Sequence, residues 1–214
     1  MRTTGDGHRR PPPRDEARPP AADGPAAPTL RERKRARAKA HVVEVAIELF
    51  AARGYAEVSV AELCAAAEVA QRSFFRYFPA KEDVLLEPVR ELADRMEASI
   101  ATAPAGLSDA EALEHAMREL AGYMLGNWER LTRYFQVIQQ TTAVRASPVV
   151  QLADRERSIT GQLLARRGVV GPPDWRSRLL VARAVAAFRV WLDDVRAGEV
   201  ADPLAHLDTV LAAR

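Results

Sequence analysis

Apolar residues recur at helical spacing along most of the chain. The first stripe predicts a helix over about residues 29–53. Ser59 and Glu62 have the spacing of a capping box, so a short second helix is expected to begin there. Two more helices are expected over residues 71–77 and from residues 79–81 onward. No strand-like alternation of β-branched residues persists, and the pattern therefore predicts an all-α fold.

The second half of the chain continues the same pattern. Apolar stripes cover residues 113–124 and 128–138, and a further helix follows Pro148. The segment 174–197 is apolar over a wide arc, which implies burial on two sides, either within the core or against a partner subunit. A narrower last helix is expected at about residues 202–213.

Composition separates the first residues from this helical body. Residues 1–28 contain seven of the fourteen prolines and no Val, Ile, Leu, Phe, Trp or Tyr, which predicts a disordered tail. Residues 1–40 carry a net charge of +6, residues 41–83 one of −3 and residues 84–214 one of −1. The basic excess near the N-terminus fits either an arm that faces nucleic acid or a solvated tail.

Several function classes receive no support. The first residues lack an apolar stretch, and no later run approaches the roughly 18 apolar residues of a membrane span, so a soluble, cytoplasmic protein is expected. Cys64 is the single cysteine, and neither a metal site nor a cofactor site is expected. The histidines stand on separate segments without a catalytic constellation, so an enzyme is not predicted.

The sequence SVAELCAAAEVAQRSFFRYFPAKEDVL, residues 59–85, closely resembles the helix-turn-helix of TetR-type repressors, the tetracycline-repressor-like family. The preceding AIELFAARGY, residues 46–55, matches the first helix of that family. The resemblance covers roughly residues 35–87. It implies a three-helix DNA-binding domain at residues 29–82, after the 1–28 tail, and a larger helical domain for ligand binding and dimerisation at residues 83–214.

The resemblance also implies roles for residues of the motif. Gln71, Arg72, Ser73 and Arg76 would face base edges, and arginine and glutamine can bond bidentately to guanine and adenine. The backbone of the DNA would be met by Phe75, Tyr77, the amides at Ser59, and Lys81 as a point charge. Phe75 fits a partly buried aromatic residue as well as it fits a contact with the DNA backbone. Phe74 and Phe78 are expected in the core.

Three positions depart from the family pattern. The family usually has glycine where Glu68 stands, serine at Ala70 and a small polar cap at Ala80. Glu68 fits the turn only if its backbone avoids the left-handed region or tolerates strain. The alanines are poor N-caps, so lower local stability is expected.

A basic run precedes the apolar stripe of the first helix. Arg33 and Arg35 lie within it, and we expect them to contact phosphate or an A·T-rich minor groove; a solvated face is the alternative.

Ligand and partner contacts rest on the family resemblance and on the helical stripes. An apolar cavity with a few polar handles is expected among residues of the middle helices: Met96, Met117, Met124, Trp128, Tyr134, Phe135, Ile138, Gln139, Thr142 and Glu156. Plain core is the alternative for each. A homodimer interface is expected on the last two helices, at Val181, Val185, Phe188, Trp191, Leu192, Leu204, Leu207 and Leu211.

Pro88 lies inside the fourth predicted helix, where it removes a backbone hydrogen bond and is expected to cause a kink. A shift of the helix beyond this kink would move the recognition helices. The sequence therefore predicts a regulator that binds a palindromic DNA operator and is released by a small, largely apolar effector. A helical interaction or ligand-binding module without DNA binding is the alternative.

Overall fold

The computed structural model describes residues 29–141 and 152–213, and this part of the chain is helical without strands. Its helices, numbered in chain order, are α1 Leu30–Arg53, α2 Val60–Ala66, α3 Gln71–Tyr77, α4 Lys81–Thr102, α5 Asp109–Gly126, α6 Trp128–Gln140, α7 Leu152–Arg166, α8 Trp175–Ala197 and α9 Pro203–Ala212. The all-α prediction is confirmed. The predicted tail at residues 1–28 lies outside the described residues.

Side chains at the helix starts satisfy the free backbone amides. Thr29 accepts a hydrogen bond from the amide of Glu32, whose carboxylate accepts one from the amide of Thr29. Ser59 and Glu62 form the same reciprocal pair, so the capping box predicted for α2 is confirmed. Local sequence thus fixes where α1 and α2 begin.

The turn between α2 and α3 contains the one strained residue of the motif. Glu68 has a φ of +52°, in the left-handed region that costs a residue with a Cβ about 1–2 kcal/mol. Val69 donates its amide to the Cys64 carbonyl, and Glu68 donates to Ala65, which together form a Schellman motif. The end of α7 repeats this motif with Gly168 in the left-handed position. Glu68 therefore occupies a glycine position.

Aromatic side chains join α1, α2 and α3 into one unit. Phe50, Phe74 and Phe78 are fully buried, and the ring centroids of the latter two lie 5.4 Å apart. The prediction that Phe74 and Phe78 belong to the core is confirmed. Ala70, in contrast, makes no side-chain cap for α3, so packing and the Schellman motif hold this helix in place.

The same core continues into the rest of the protein. Val84, Leu85 and Val89 of α4, with Leu131 and Tyr134 of α6, belong to the cluster that contains the aromatic residues of α1 and α3. The boundary predicted after residue 82 lies two residues inside α4, and the buried core crosses it.

The far half of α4 packs into a second cluster. There, Met96 and Ile100 meet α5, α7 and α8. A third, smaller cluster joins α5, α8 and α9 around Trp191 and Leu207. Among the described residues, no helix is long and apolar enough to cross a membrane.

Helix α4 continues through Pro88, where the carbonyl of Val84 lacks a helical donor because proline has no amide hydrogen. At the next carbonyl, the buried hydroxyl of Tyr134 donates to Leu85 at 2.6 Å. Burial of this hydroxyl raises the pKa of Tyr134. Helix α6 thus supplies a hydrogen bond to α4 beside the proline.

Replacing the strained residue tests the reading of the turn. Glu68→Gly should raise the free energy of unfolding by about 0.5–1 kcal/mol, because relief of left-handed strain exceeds the extra chain entropy of glycine. Urea unfolding followed by circular dichroism measures this. Glu68→Ala is the control, since it removes the same carboxylate but keeps the Cβ. Equal stabilisation by both variants would show that charge, and not backbone strain, is responsible.

Candidate DNA-binding surface and ligand cavity

Helix α3 presents a polar face away from the core. Gln71, Arg72, Phe75 and Arg76 are exposed, and their spacing places them on one side of the helix. Ser73 is half-buried. An exposed helix face with an arginine and a glutamine at its start has the shape and donors needed to enter a major groove.

The N-terminal part of α1 lies beside this face. The guanidinium carbon of Arg35 is 5.9 Å from the ring centroid of Tyr77, and Arg76 donates to the Tyr77 hydroxyl at 3.2 Å. Arg33 is exposed one turn from the start of α1. Arg35 of α1 and Arg76 of α3 therefore both lie beside the ring of Tyr77 and place two positive charges at the end of α3.

The amide at Ser59 is already used within the protein. It donates to the Glu62 carboxylate at 2.9 Å, and Arg53 donates to the same carboxylate at 2.8 Å. Hydrogen bonds from the amide and hydroxyl of Ser59, and from Arg53, lower the pKa of Glu62 to about 2. The amide of Ser59 itself is therefore occupied by an internal carboxylate, and a contact between a phosphate and the other amides at this helix start stays a prediction.

Lys81 is also engaged inside the protein. Its Nζ donates to the carbonyls of Tyr55 and Val58 at 2.8 and 3.0 Å and lies 4.0 Å from the centroid of the Tyr55 ring. These contacts connect the start of α4 to the loop between α1 and α2. The expected contact of Lys81 with a phosphate is corrected, because its ammonium group donates to the loop between α1 and α2 and stabilises it.

A cavity of about 360 Å³ lies between α4, α5, α6, α7 and α8. Most of its lining is apolar, and the polar lining groups are few: Glu97, Asp154, Arg155, Ser158 and Arg189. Size and lining are typical of a site for a small organic molecule. The apolar side chains around it include Leu92, Met96, Met117, Leu120, Met124, Phe135, Ile159, Val185, Phe188 and Leu192.

The residues expected to line a cavity divide into two groups. Met96, Met117, Met124 and Phe135 do line it. Tyr134 and Ile138 instead face the core shared with α1, Trp128 is half-buried away from the cavity, and Gln139 is exposed. The cavity lies on the Phe135 side of α6, which explains why its neighbours in sequence do not line it. Thr142 lies outside the described residues.

On α7, the charged residue that lines the cavity is the neighbour of the one that the sequence analysis predicted. Glu156 is half-buried and does not line the cavity, whereas Arg155 does. Arg155 stands four residues before Ile159 and eight before Leu163, both buried, and therefore shares their helix face. The spacing to these two residues was the sequence signal that could have identified Arg155.

Several residues expected at a dimer interface are buried within one subunit. Val181, Trp191 and Leu207 are fully enclosed, and the Trp191 indole donates to the Pro203 carbonyl at 2.7 Å. These three residues are therefore corrected to core residues of their own subunit. Three others, Val185, Phe188 and Leu192, line the cavity, and Leu204 and Leu211 are half-buried. For these five residues a contact with a partner subunit stays a prediction.

The opposite side of α8 is exposed and apolar. Trp175, Leu179 and Val190 are 58%, 51% and 47% exposed. They are spaced by four and eleven residues, which places them on one helix face. Periodicity alone could not separate this face from the inner one, because both carry large apolar residues.

Comparison with known proteins agrees with this arrangement. A model of the family described as bacterial regulatory proteins, tetR family, matches residues 42–87. The chain is 30% identical over 178 residues to the HTH-type transcriptional regulator TcmR of Streptomyces glaucescens, covering 80% of this chain and 79% of TcmR.

Solved structures share the fold. The structure of Thermus thermophilus FadR, a TetR-family transcriptional repressor in complex with lauroyl-CoA, superposes with a TM-score of 0.52 and 26% identity, over 81% of this chain and 91% of that one. A complex of SmeT with triclosan superposes with a TM-score of 0.57 and 16% identity, over 82% and 90% of the two chains, and shows likeness of fold alone.

Substitution of Lys81 separates an internal role from a phosphate contact. Lys81→Met should lower the free energy of unfolding by about 1–3 kcal/mol, because two carbonyls lose a charged donor. DNA affinity should fall with no change in its salt dependence. A slope of log affinity against log salt that flattens by about one, with unchanged stability, would restore the phosphate contact.

Proposed function

Because the chain belongs to the TetR family of bacterial transcriptional regulators, we propose that it binds a palindromic operator as a homodimer and leaves it when a largely apolar small molecule occupies the cavity. It would act in the cytoplasm, where the DNA is. Its relatives are transcription regulators and not enzymes. The alternative of a helical module without DNA binding therefore loses its support.

The outward face of α3 is the observation that carries the DNA-binding part of this proposal. Gln71 and Arg72, at the exposed start of a short helix on a rigid aromatic core, are suited to reading base edges. Arg76, Phe75 and Tyr77 follow on the same surface. Arg33 and Arg35 extend it with positive charge, which suits the phosphate backbone or a narrow minor groove.

The cavity supports the ligand-responsive part. FadR of Thermus thermophilus was solved with lauroyl-CoA and SmeT with triclosan, so proteins of this fold hold organic molecules with a large apolar part. Here Met96, Met117, Met124 and Phe135 provide a flexible, apolar lining. We assign the effector to this space.

Helix α4 is the element we propose for communication. Its first half belongs to the core of α1 and α3, and its second half lines the cavity through Leu92 and Met96. Pro88 stands between these halves. A ligand that displaces the second half would move α3 with the first, and a coupling of about 1–3 kcal/mol would change operator affinity roughly 5- to 150-fold.

The homodimer is best accommodated by the outer face of α8. The family resemblance implies a dimer, and two copies need an exposed apolar face that can meet itself. Trp175, Leu179 and Val190 provide such a face. We propose this outer face of α8 as the dimer interface, in place of the apolar residues on the inner side of the helix.

Two arginine variants test the division between base and backbone contacts. On an operator selected from genomic fragments, Arg72→Ala should cost about 1–3 kcal/mol and relax preference at one base pair of each half-site. Arg35→Ala and Arg33→Ala should each lower the affinity for all DNA sequences equally. Each should also flatten the slope of log affinity against log salt concentration by about one. Fluorescence anisotropy across salt concentrations measures both effects. A chain that binds no duplex with a steep salt slope would not be a DNA-binding regulator.

A charged residue on the outer face of α8 tests the dimer. Val190→Glu should convert the dimer into a monomer and abolish operator binding, because two like charges would face each other in an apolar contact. Light scattering after gel filtration gives the mass. Phe75→Glu, an equally exposed apolar position on α3, should remain dimeric. A dimeric Val190→Glu protein would exclude this face.

A further inference from the structure

One charged side chain in the cavity is not neutralised by the described part of the protein. Arg155 lines the cavity from α7. Its Nε is buried without a hydrogen-bond partner among residues 29–141 and 152–213, and its guanidinium forms no ion pair with a carboxylate in those ranges. Burial lowers the pKa of this guanidinium. Arginine nevertheless stays charged in proteins, so the cavity wall contains a cation whose side chain is half-buried and whose Nε is fully buried.

The nearby polar groups are committed elsewhere. Asp154 forms an ion pair with Arg157 at 2.8 Å, on the adjoining turn of α7. Glu97 of α4 accepts hydrogen bonds from Ser158 and from Gln162. Neither carboxylate contacts Arg155. Both carboxylates of the cavity wall therefore have partners among the described residues, whereas Arg155 has none.

The hydroxyl of Tyr134 does not neutralise Arg155 either. Tyr134 is close enough for the charge of Arg155 to oppose the rise that burial causes in the pKa of the phenol. Its hydrogen, however, goes to the carbonyl of Leu85. A second cation, Arg189, stands on α8 at the exposed edge of the cavity and forms no ion pair among the described residues. Both unpaired charges on the cavity wall are positive.

A buried, unpaired cation is unfavourable for folding, and a protein that retains one gains when an anion binds beside it. The planar fork of a guanidinium suits an acid group with two or more oxygens, to which it can donate parallel hydrogen bonds. Most of the remaining lining is apolar and suits a hydrocarbon or aromatic body.

We propose that the effector is an organic anion, with its acid group on Arg155 and its apolar body among Met96, Met117 and Phe188. This inference rests on the ligand-binding half of the proposed function and specifies its chemistry. Arg189 adds positive potential at the entrance, which favours the approach of an anion.

A matched pair of fluorescent probes tests the charge preference. 8-Anilinonaphthalene-1-sulfonate and N-phenyl-1-naphthylamine share an apolar body, and only the first carries an acid group. The full-length protein should bind the sulfonate at least about tenfold more tightly than the neutral amine. Arg155→Met keeps an unbranched apolar chain and should lose this preference while binding the neutral probe as well as before.

Two controls make the result specific. Arg133→Met removes an exposed arginine of α6 outside the cavity and should bind both probes like the unmodified protein. Thermal unfolding of Arg155→Met should show equal or higher stability, because an unpaired buried charge is replaced by an apolar chain. Strong destabilisation would identify Arg155 as a structural residue and overturn the inference.

Other outcomes are equally decisive. Equal affinity of the unmodified protein for the two probes, or an Arg155→Met protein that keeps the preference, would overturn the anion site. Operator binding measured on the same samples tests the proposed function separately. Intact operator binding without a charge preference would remove only this inference, whereas a charge preference without any operator binding would remove the DNA-binding role and leave the anion site.

Discussion

The fold depends on one buried core of aromatic and aliphatic side chains. This core joins helices from the start of the chain to helices from its middle. Phe50, Phe74 and Phe78 come from the DNA-facing helices, whereas Leu85 and Tyr134 come from α4 and α6. Because these side chains are close-packed, the recognition helix cannot move without displacing α4. The three-helix unit is therefore an extension of the larger body, and its position depends on that body.

Helix α4 receives two kinds of contact along its length. Its first half is tied to α1 by the Lys39–Glu87 ion pair and to α6 by the hydrogen bond between Tyr134 and Leu85. Its second half lines the cavity, and Glu97 in this half accepts a hydrogen bond from Gln162 of α7. The missing amide of Pro88 lies between these regions. In the proposed mechanism, a change in cavity volume reaches the DNA-binding surface through this single helix.

Sequence reasoning succeeded where short-range signals decide. The capping box at Ser59 and the buried Phe74 follow from spacings of a few residues. The glycine position at Glu68 follows from the family pattern, which has glycine there. Sequence reasoning failed where a side chain could turn to either of two neighbours. Lys81 reaches carbonyls more than twenty residues away, and no local pattern encodes that contact. Arg155 shares a helix face with the buried Ile159 and Leu163, but this spacing does not show that the face borders a cavity.

Filling the cavity with a larger side chain, without a ligand, tests whether the cavity and the DNA-binding surface are coupled. Leu120→Trp on α5 enlarges a residue of the cavity wall, whereas Leu125→Trp makes the same change on that helix outside the wall. Operator affinity is measured by fluorescence anisotropy for both. Coupling through α4 predicts that Leu120→Trp changes the affinity for the operator by about fivefold or more and that Leu125→Trp leaves it unchanged. If Leu120→Trp no longer binds the naphthalene probes yet binds the operator like the unmodified protein, the cavity and the DNA-binding surface are not coupled.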